Sequence, residues 1–523
     1  MSSHVLLIVA VALVVASVCK YWDVNAAIPL IAAGFALDWI VPRTSDQLLN
    51  PELILTLVLT PLVFAAGLAS SAVDLRRVKR SVLLLAFVLV VLSTVVVGAV
   101  SWVMVPAVPI AAGLALGAAL APTDAVAASI VAKKSGLPRD VVLVIEGESL
   151  ANDGTALTIL RVAVLAAVAG TVTMVEAGGI LLLAVIGGAV IGAAGGWLVS
   201  WLMKVAREPV IANAILLLAP FALYEFSERI GGSGLLTVVV AGVWIAHSTG
   251  KGSAYRSRLQ AVSVWSLITF LLESFAFIVV GVEFLDTASM VTYPDRWQLA
   301  VMSVVLTAAL LITRGLFMGG WFALGPTFAP KKFADRKGTA KEFAAIGLLG
   351  VRGPVSVLAA LSFPLDFPYR DLLLTLTFGV VVLSLVFSLF ATPVIERLHL
   401  TTETDSDALL AARIAVARAA LRQLDEDVVE AERLGKPVPE KMERRLRSTA
   451  TRRVDSLQAE PEQAQAAGNQ LRTQRHLQRS MLHAERAELQ RLRIDHRAPG
   501  HIVQKLTHEL DVREAALGQP GRL

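Results

Sequence analysis

Apolar segments about as long as a bilayer crossing, separated by short polar stretches, fill the chain from its start to about residue 400. A spanning helix needs about 20 mostly apolar residues. By that measure thirteen segments qualify: roughly 5–19, 24–41, 52–71, 81–105, 108–132, 140–168, 177–203, 209–226, 234–249, 261–285, 298–323, 342–363 and 371–397. From about Thr401 the pattern changes to Ala, Leu, Arg, Glu and Gln with no spanning run. That predicts a helical tail, broken at Gly435, Pro437 and Pro439, with a brief apolar seam at Leu482, Leu489 and Leu492. The expected architecture is an all-α polytopic membrane protein, with residues 1–400 as the membrane domain and 401–523 as a cytoplasmic helical tail.

Composition agrees with this reading. Of 523 residues, 55% are hydrophobic and 17% charged, which excludes an ordinary soluble enzyme of this size. The net charge of +5 reflects loop asymmetry more than a polyanion partner, so no nucleic acid is expected. Lys and Arg concentrate in cytoplasmic loops. The odd-numbered loops hold Lys20, Arg76, Arg77, Lys79, Arg80, Lys133, Lys134, Arg139, Lys204, Arg207, Lys251, Arg256, Arg258 and a basic cluster over 331–341; the even loops hold only Arg43, Arg229, Arg296 and Arg370. This alternation predicts a multi-pass protein of the plasma membrane with the N-terminus outside and the tail inside. The first segment has no basic n-region and no small-residue cleavage site, so it reads as a spanning helix, not a signal peptide. A single cysteine, Cys19, excludes an intramolecular disulfide and a cysteine-based metal site.

Charged residues inside the apolar segments change the picture most. A carboxylate at bilayer depth costs several kcal/mol or more, so each is a functional-site hypothesis with a partner to be named. With a rise of 1.5 Å per residue, Asp124 lies about 13 Å, Arg352 about 16 Å and Asp153 about 21 Å from the inner boundary, one level of a ~30 Å core. On the sixth segment Ser149 and Asp153 share one stripe, while Glu148 and Asn152 share the next, about 100° away. The first stripe offers oxygens to a hard cation. Glu148 is expected to pair with Arg352, because neither stays charged in hydrocarbon alone. Arg161 and Glu273 also lie inside spans, as polar contacts between packed helices or as functional groups.

Two segments are interrupted in mid-membrane, by Ala121-Pro122-Thr123-Asp124 and by Gly350-Val351-Arg352-Gly353-Pro354. Interrupted helices in corresponding positions of two halves point to a transporter's binding site. Segment five of a first block of six matches segment twelve of a second block, and a seven-segment offset reverses orientation, so the blocks are expected to be inverted repeats. The first break frees the Ala121 and Thr123 carbonyls for a cation.

These residues resemble the monovalent cation:proton antiporter family of bacterial and eukaryotic sodium/proton exchangers, over about residues 1–400. The resemblance is carried by Pro122-Thr123-Asp124, Glu148-Ser149-x-x-Asn152-Asp153-Gly154, Phe277-Ile278-Val279-Val280-Gly281-Val282 and Gly350-Val351-Arg352-Gly353-Pro354-Val355-Ser356. It implies thirteen helices with crossed, interrupted segments, a dimerisation subdomain and a mobile core, and a homodimer. It implies that Asp153 is the shared ion- and proton-binding carboxylate, with Asp124, Ser149 and the Thr123 carbonyl completing the site, and a structural Glu148–Arg352 ion pair. Members with Asn at the position of Asn152 look electroneutral. One departure stands out: relatives often carry Glu after Pro-x-x-Phe on the third segment, where Pro61-Leu62-Val63-Phe64 is followed here by Ala65.

The expected function is secondary exchange of a monovalent cation, sodium first and potassium as the alternative, for protons, serving pH homeostasis without enzymatic chemistry or a cofactor. Two other readings share the membrane acids. A cation channel would lack proton coupling, and an intramembrane aspartyl protease would need a Gly-x-Gly-Asp context that is absent.

Overall fold

The computed structural model describes residues 3–22, 24–40, 53–70, 72–169, 174–206, 208–249, 255–291, 294–328, 340–398, 404–435 and 438–458, with isolated positions further along the tail. All regular structure among these residues is helical. The chain divides into two compact units, Met1–Thr402 and Glu403–Leu523. Arg43, Lys251 and most of the 331–341 cluster, and Leu482, Leu489 and Leu492 of the tail, lie outside the described residues.

In chain order the first unit contains α1 (Ser3–Tyr21), α2 (Ala27–Ile40), α3 (Thr60–Ala69), α4 (Ala72–Leu83), α5 (Val90–Met104), α6 (Ile110–Leu120), α7 (Ala125–Lys134), α8 (Arg139–Ala169) and α9 (Met174–Val205). It continues with α10 (Pro209–Arg229), α11 (Gly234–Thr249), α12 (Tyr255–Met290), α13 (Arg296–Phe328), α14 (Ala340–Leu348), α15 (Pro354–Leu361) and α16 (Arg370–Glu396). π-Helical stretches, Ile54–Leu59 and Leu84–Leu89, precede α3 and α5. Among the described residues, seven helical stretches are long and apolar enough to cross a membrane, and five shorter apolar ones accompany them. The protein is a multi-pass membrane protein.

Helices dominate because hydrocarbon offers no partner for a free peptide group, so backbone polar groups must be satisfied within the segment. Most hydroxyls on these helices follow the same rule. Ser101 donates to the Val97 carbonyl, Thr158 to Gly154, Ser200 to Gly196 and Thr377 to Leu373, each one turn back. Such residues need no functional explanation.

Without a hydrophobic driving force between helices, close association uses small residues. Two crossings show this with matching geometry. A Cβ built on Gly34 of α2 would stand 2.9 Å from the Gly281 Cα of α12, and one on Gly67 of α3 would stand 2.9 Å from the Val239 carbonyl of α11, near Gly242. α9 lays Gly188 against Ser233, which precedes α11, and Gly192 and Gly196 against Thr237 and Ala241 of α11. Aromatic contacts extend the packing: Phe64 of α3 meets Trp265 of α12 at 5.2 Å, and Phe35 meets Phe284 at 5.7 Å.

Among the described residues of the second unit, α17 (Thr404–Arg433) and α18 (Glu440–Gln458) form a hairpin that turns at Gly435, φ +69°. Arg447 of α18 reaches Asp425 of α17 at 2.7 Å, and Ala417 and Val454 are buried.

Candidate ion-binding site

The apolar run of α6 ends at Leu120 because Pro122 has no N–H to continue the ladder. Helix resumes at Ala125, and Asp124 caps it: its Oδ1 accepts from the Ala127 N–H at 3.1 Å. The second interruption separates α14 from α15, where Pro354 opens the new helix. The two unwound stretches touch. The Asp124 N–H donates to the Val351 carbonyl at 2.8 Å, and the Ser356 hydroxyl donates to the Pro122 carbonyl at 3.4 Å. Gly353 permits this approach, since a Cβ there would lie 2.6 Å from the Asp124 Cγ.

α8 packs against α6 and α7 and lays its polar turn across the first break. The Ser149 hydroxyl donates to the Thr123 carbonyl at 2.5 Å, and the Asn152 amide donates to the Thr123 hydroxyl at 2.9 Å. Ser149 therefore keeps its lone pairs, and the Thr123 carbonyl keeps one, for another ligand. Asp153 is 6% exposed and its Oδ1 has no hydrogen-bond partner; the Asn152 Oδ1 has none either. Asp124 and Asp153 are close enough that their charges act on one another. Thus Asp153, Asp124, Ser149, Thr123 and Asn152, all selected from the sequence, converge on one buried locus. The two-stripe division does not hold in full, because Asn152 turns to Thr123 and not with Glu148.

Glu148 provides the main correction. Its partner is Arg314 of α13, not Arg352. Arg314 grips both carboxylate oxygens, with Nη1 on Oε1 and Nη2 on Oε2 at 2.8 Å, and its Nε donates to the Ile346 carbonyl at 3.1 Å. The planar guanidinium matches a carboxylate bidentately. Gly350 leaves room for it, since a Cβ there would lie 2.6 Å from the Arg314 Cδ. Arg352 sits in the same buried cluster, within reach of the charges of Glu148 and Arg314. Its Nη1 donates to the Gly350 carbonyl and its backbone N–H to the Ser384 hydroxyl, both at 3.0 Å, while its Nε has no partner. Sequence reasoning passed over Arg314 although the signal was present: an arginine well inside an apolar span is subject to the same partner rule as an acid.

Arg161 is also explained. It pairs with Glu228 at 2.6 Å and donates to the Gly232 carbonyl at 3.1 Å, tying the far end of α8 to the turn between α10 and α11. Among the described residues no three His, Cys, Asp or Glu side chains are gathered to hold a metal ion. What the locus offers is a mixed set of carboxylate, hydroxyl and carbonyl oxygens, suited to a hard cation that arrives as cargo.

The family model for the transmembrane part of sodium/hydrogen exchangers matches residues 5–397. The chain is 29% identical over 530 residues to the uncharacterized Na(+)/H(+) exchanger YjcE of Escherichia coli (strain K12), covering 93% of each chain. It is 30% identical over 387 residues to the sodium, potassium, lithium and rubidium/H(+) antiporter of Bacillus pumilus (strain SAFR-032), covering 71% of this chain and 58% of that relative's length. The fold is shared with the sodium proton antiporter MjNhaP1 from Methanocaldococcus jannaschii, with a TM-score of 0.58 at 17% identity over 76% of this chain and 98% of the other.

Proposed function

The chain belongs to the sodium/hydrogen exchanger family, and from that premise we propose that it exchanges a monovalent cation, sodium first, for protons across the membrane by alternating access. The observation that carries the proposal is Asp153, a buried carboxylate with an unpartnered oxygen beside Thr123, Ser149 and Asp124. Desolvation disfavours a bare charge on such a group, and either a proton or a nearby cation relieves it. The two loads therefore compete for Asp153, and if only loaded states rock between the sides, exchange is obligatory. Asp124, the Ser149 hydroxyl and the Thr123 carbonyl complete the cation's oxygen shell. Asn152 orders Thr123 and adds no charge, in keeping with the one-for-one exchange that the family resemblance implies for members with Asn at this position. Glu148 and Arg314 form the structural ion pair, with Arg352 held beside it.

The same proposal includes thirteen crossings in two inverted repeats. The paired glycine crossings support it. Counting crossings, α2 and α12 are the second and tenth, and α3 and α11 the third and ninth. A seven-crossing offset carries the Gly34–Gly281 contact onto that of Gly242 and Gly67. The proposed setting is a homodimer in the plasma membrane, N-terminus outside and tail in the cytoplasm, serving pH homeostasis.

The test is reconstitution of the purified chain in liposomes with a pH-sensitive dye inside, adding sodium, potassium and lithium in turn, with and without an imposed potential. Sodium is expected to drive proton movement at a rate the potential leaves unchanged. No cation-driven proton flux would overturn antiport, and a strong dependence on potential would overturn the one-for-one exchange. The broad cation range in the description of the Bacillus pumilus relative is the reason for comparing three ions.

A further inference from the structure

Glu273 of α12 is an intramembrane carboxylate that the site above does not use. Two other acids set among the apolar helices are matched, Glu148 by Arg314 and Glu228 by Arg161. Glu273 has no hydrogen-bond or ion-pair partner among the described residues. Its depth is that of the ion site. The spanning part of α12 starts at Gln260, so Glu273 lies about 20 Å along it, the level of Asp153.

Its face is also informative. Glu273 shares a helical stripe with Ala276, Phe277 and Val280, which are 0%, 8% and 0% exposed, so the stripe turns into the protein and away from lipid. Glu273 itself is only partly buried. α12 packs against α15, whose leading residue follows Gly353, and Gly353 abuts Asp124. The charges of Glu273 and Asp124 act on one another. α3 packs on α12 as well, and Thr60–Ala69 contains no acid. An unpaired acid at this depth holds its charge only where water or a cation reaches it, and otherwise takes up a proton.

We infer that Glu273 is a cation-recruiting carboxylate on the approach to Asp153. It places a further negative charge beside Asp124, concentrates monovalent cations there and passes them to the Asp153 site. Its role is positioning, so exchange continues without it when the cation is saturating. The inference rests on the antiport reading.

The experiment uses the full chain in liposomes, reading initial proton flux against sodium concentration for the native protein, Glu273→Gln and Glu273→Ala. Loss of one charge in a partly hydrated interior is expected to raise the apparent KM for sodium by roughly three- to tenfold, with Vmax within about twofold. Glu273→Asp, which keeps the charge, is expected to recover most of the native KM. An unchanged KM in a folded Gln or Ala variant overturns the inference. So does loss of Vmax at unchanged KM, or failure of both variants to fold, since each assigns Glu273 to the scaffold. Absence of flux in the native protein would instead sink the antiport reading.

Discussion

At the scale of single residues, the buried charges divide by whether the fold supplies a partner. Glu148 and Arg314 are matched oxygen to nitrogen, whereas the Asp153 Oδ1 is left open in the same neighbourhood. The expected consequences differ in kind. Asp153→Asn is nearly isosteric and removes the titratable charge, so the protein should elute and melt as the native chain does while sodium-driven proton flux falls by about a hundredfold or more. Flux near the native rate would remove Asp153 from the exchange step. Arg314→Ala leaves Glu148 buried with its nearest counter-charge gone, a loss of about 3–5 kcal/mol in comparable cases. A clear drop in thermal midpoint is expected, and a further Glu148→Gln change should restore part of it. If Arg352→Ala proves the more damaging variant in the same melt, Arg352 and not Arg314 is the main partner.

At the scale of elements, the breaks after α6 and α14 matter because each supplies what the other lacks. The first offers a free amide at Asp124, the second a free carbonyl at Val351, and they meet at 2.8 Å. Backbone without helix is tolerated at membrane depth only when buried in protein or lining a cavity, and this mutual bond meets that condition. The helices around the breaks are held by glycine crossings. Gly281→Val would drive a side chain into the backbone of α2, and overpacking of this kind costs about 1–3 kcal/mol or more. We expect a lowered thermal midpoint for Gly281→Val and likewise for Gly67→Val. Gly319→Val, where a Cβ would meet nothing within 4 Å, serves as the control and should melt with the native protein. Equal loss at all three positions would refute the packing argument.

At the scale of the whole molecule, every candidate ion ligand lies within Met1–Thr402, and the tail forms a unit with its own buried contacts. A chain ending at Thr402 is therefore expected to retain sodium-driven proton flux with a KM within about twofold of the full chain. Loss of flux in a folded truncated chain would assign the tail a part in the transport cycle. The family match over residues 5–397 concerns this same stretch.

Much of this was legible in one dimension, because the properties involved are local. An apolar run long enough to cross a bilayer, a proline that ends a helix, and the cost of an acid inside such a run depend on neighbours along the chain. Those terms marked the membrane class, the breaks at Pro122 and Pro354, and the set of Thr123, Asp124, Ser149, Asn152 and Asp153. Partner choice is a different kind of property. Arg314 and Arg352 are both arginines within apolar segments, equivalent in sequence as mates for Glu148, and Asn152 stood nominally on the wrong stripe. Only the packing of α13 beside Gly350, and the depth to which the first break settles against α8, decided which groups came within hydrogen-bonding distance. Electrostatic pairing falls off over a few ångströms and demands aligned donors, so it is settled by the three-dimensional placement of helices that no single segment encodes.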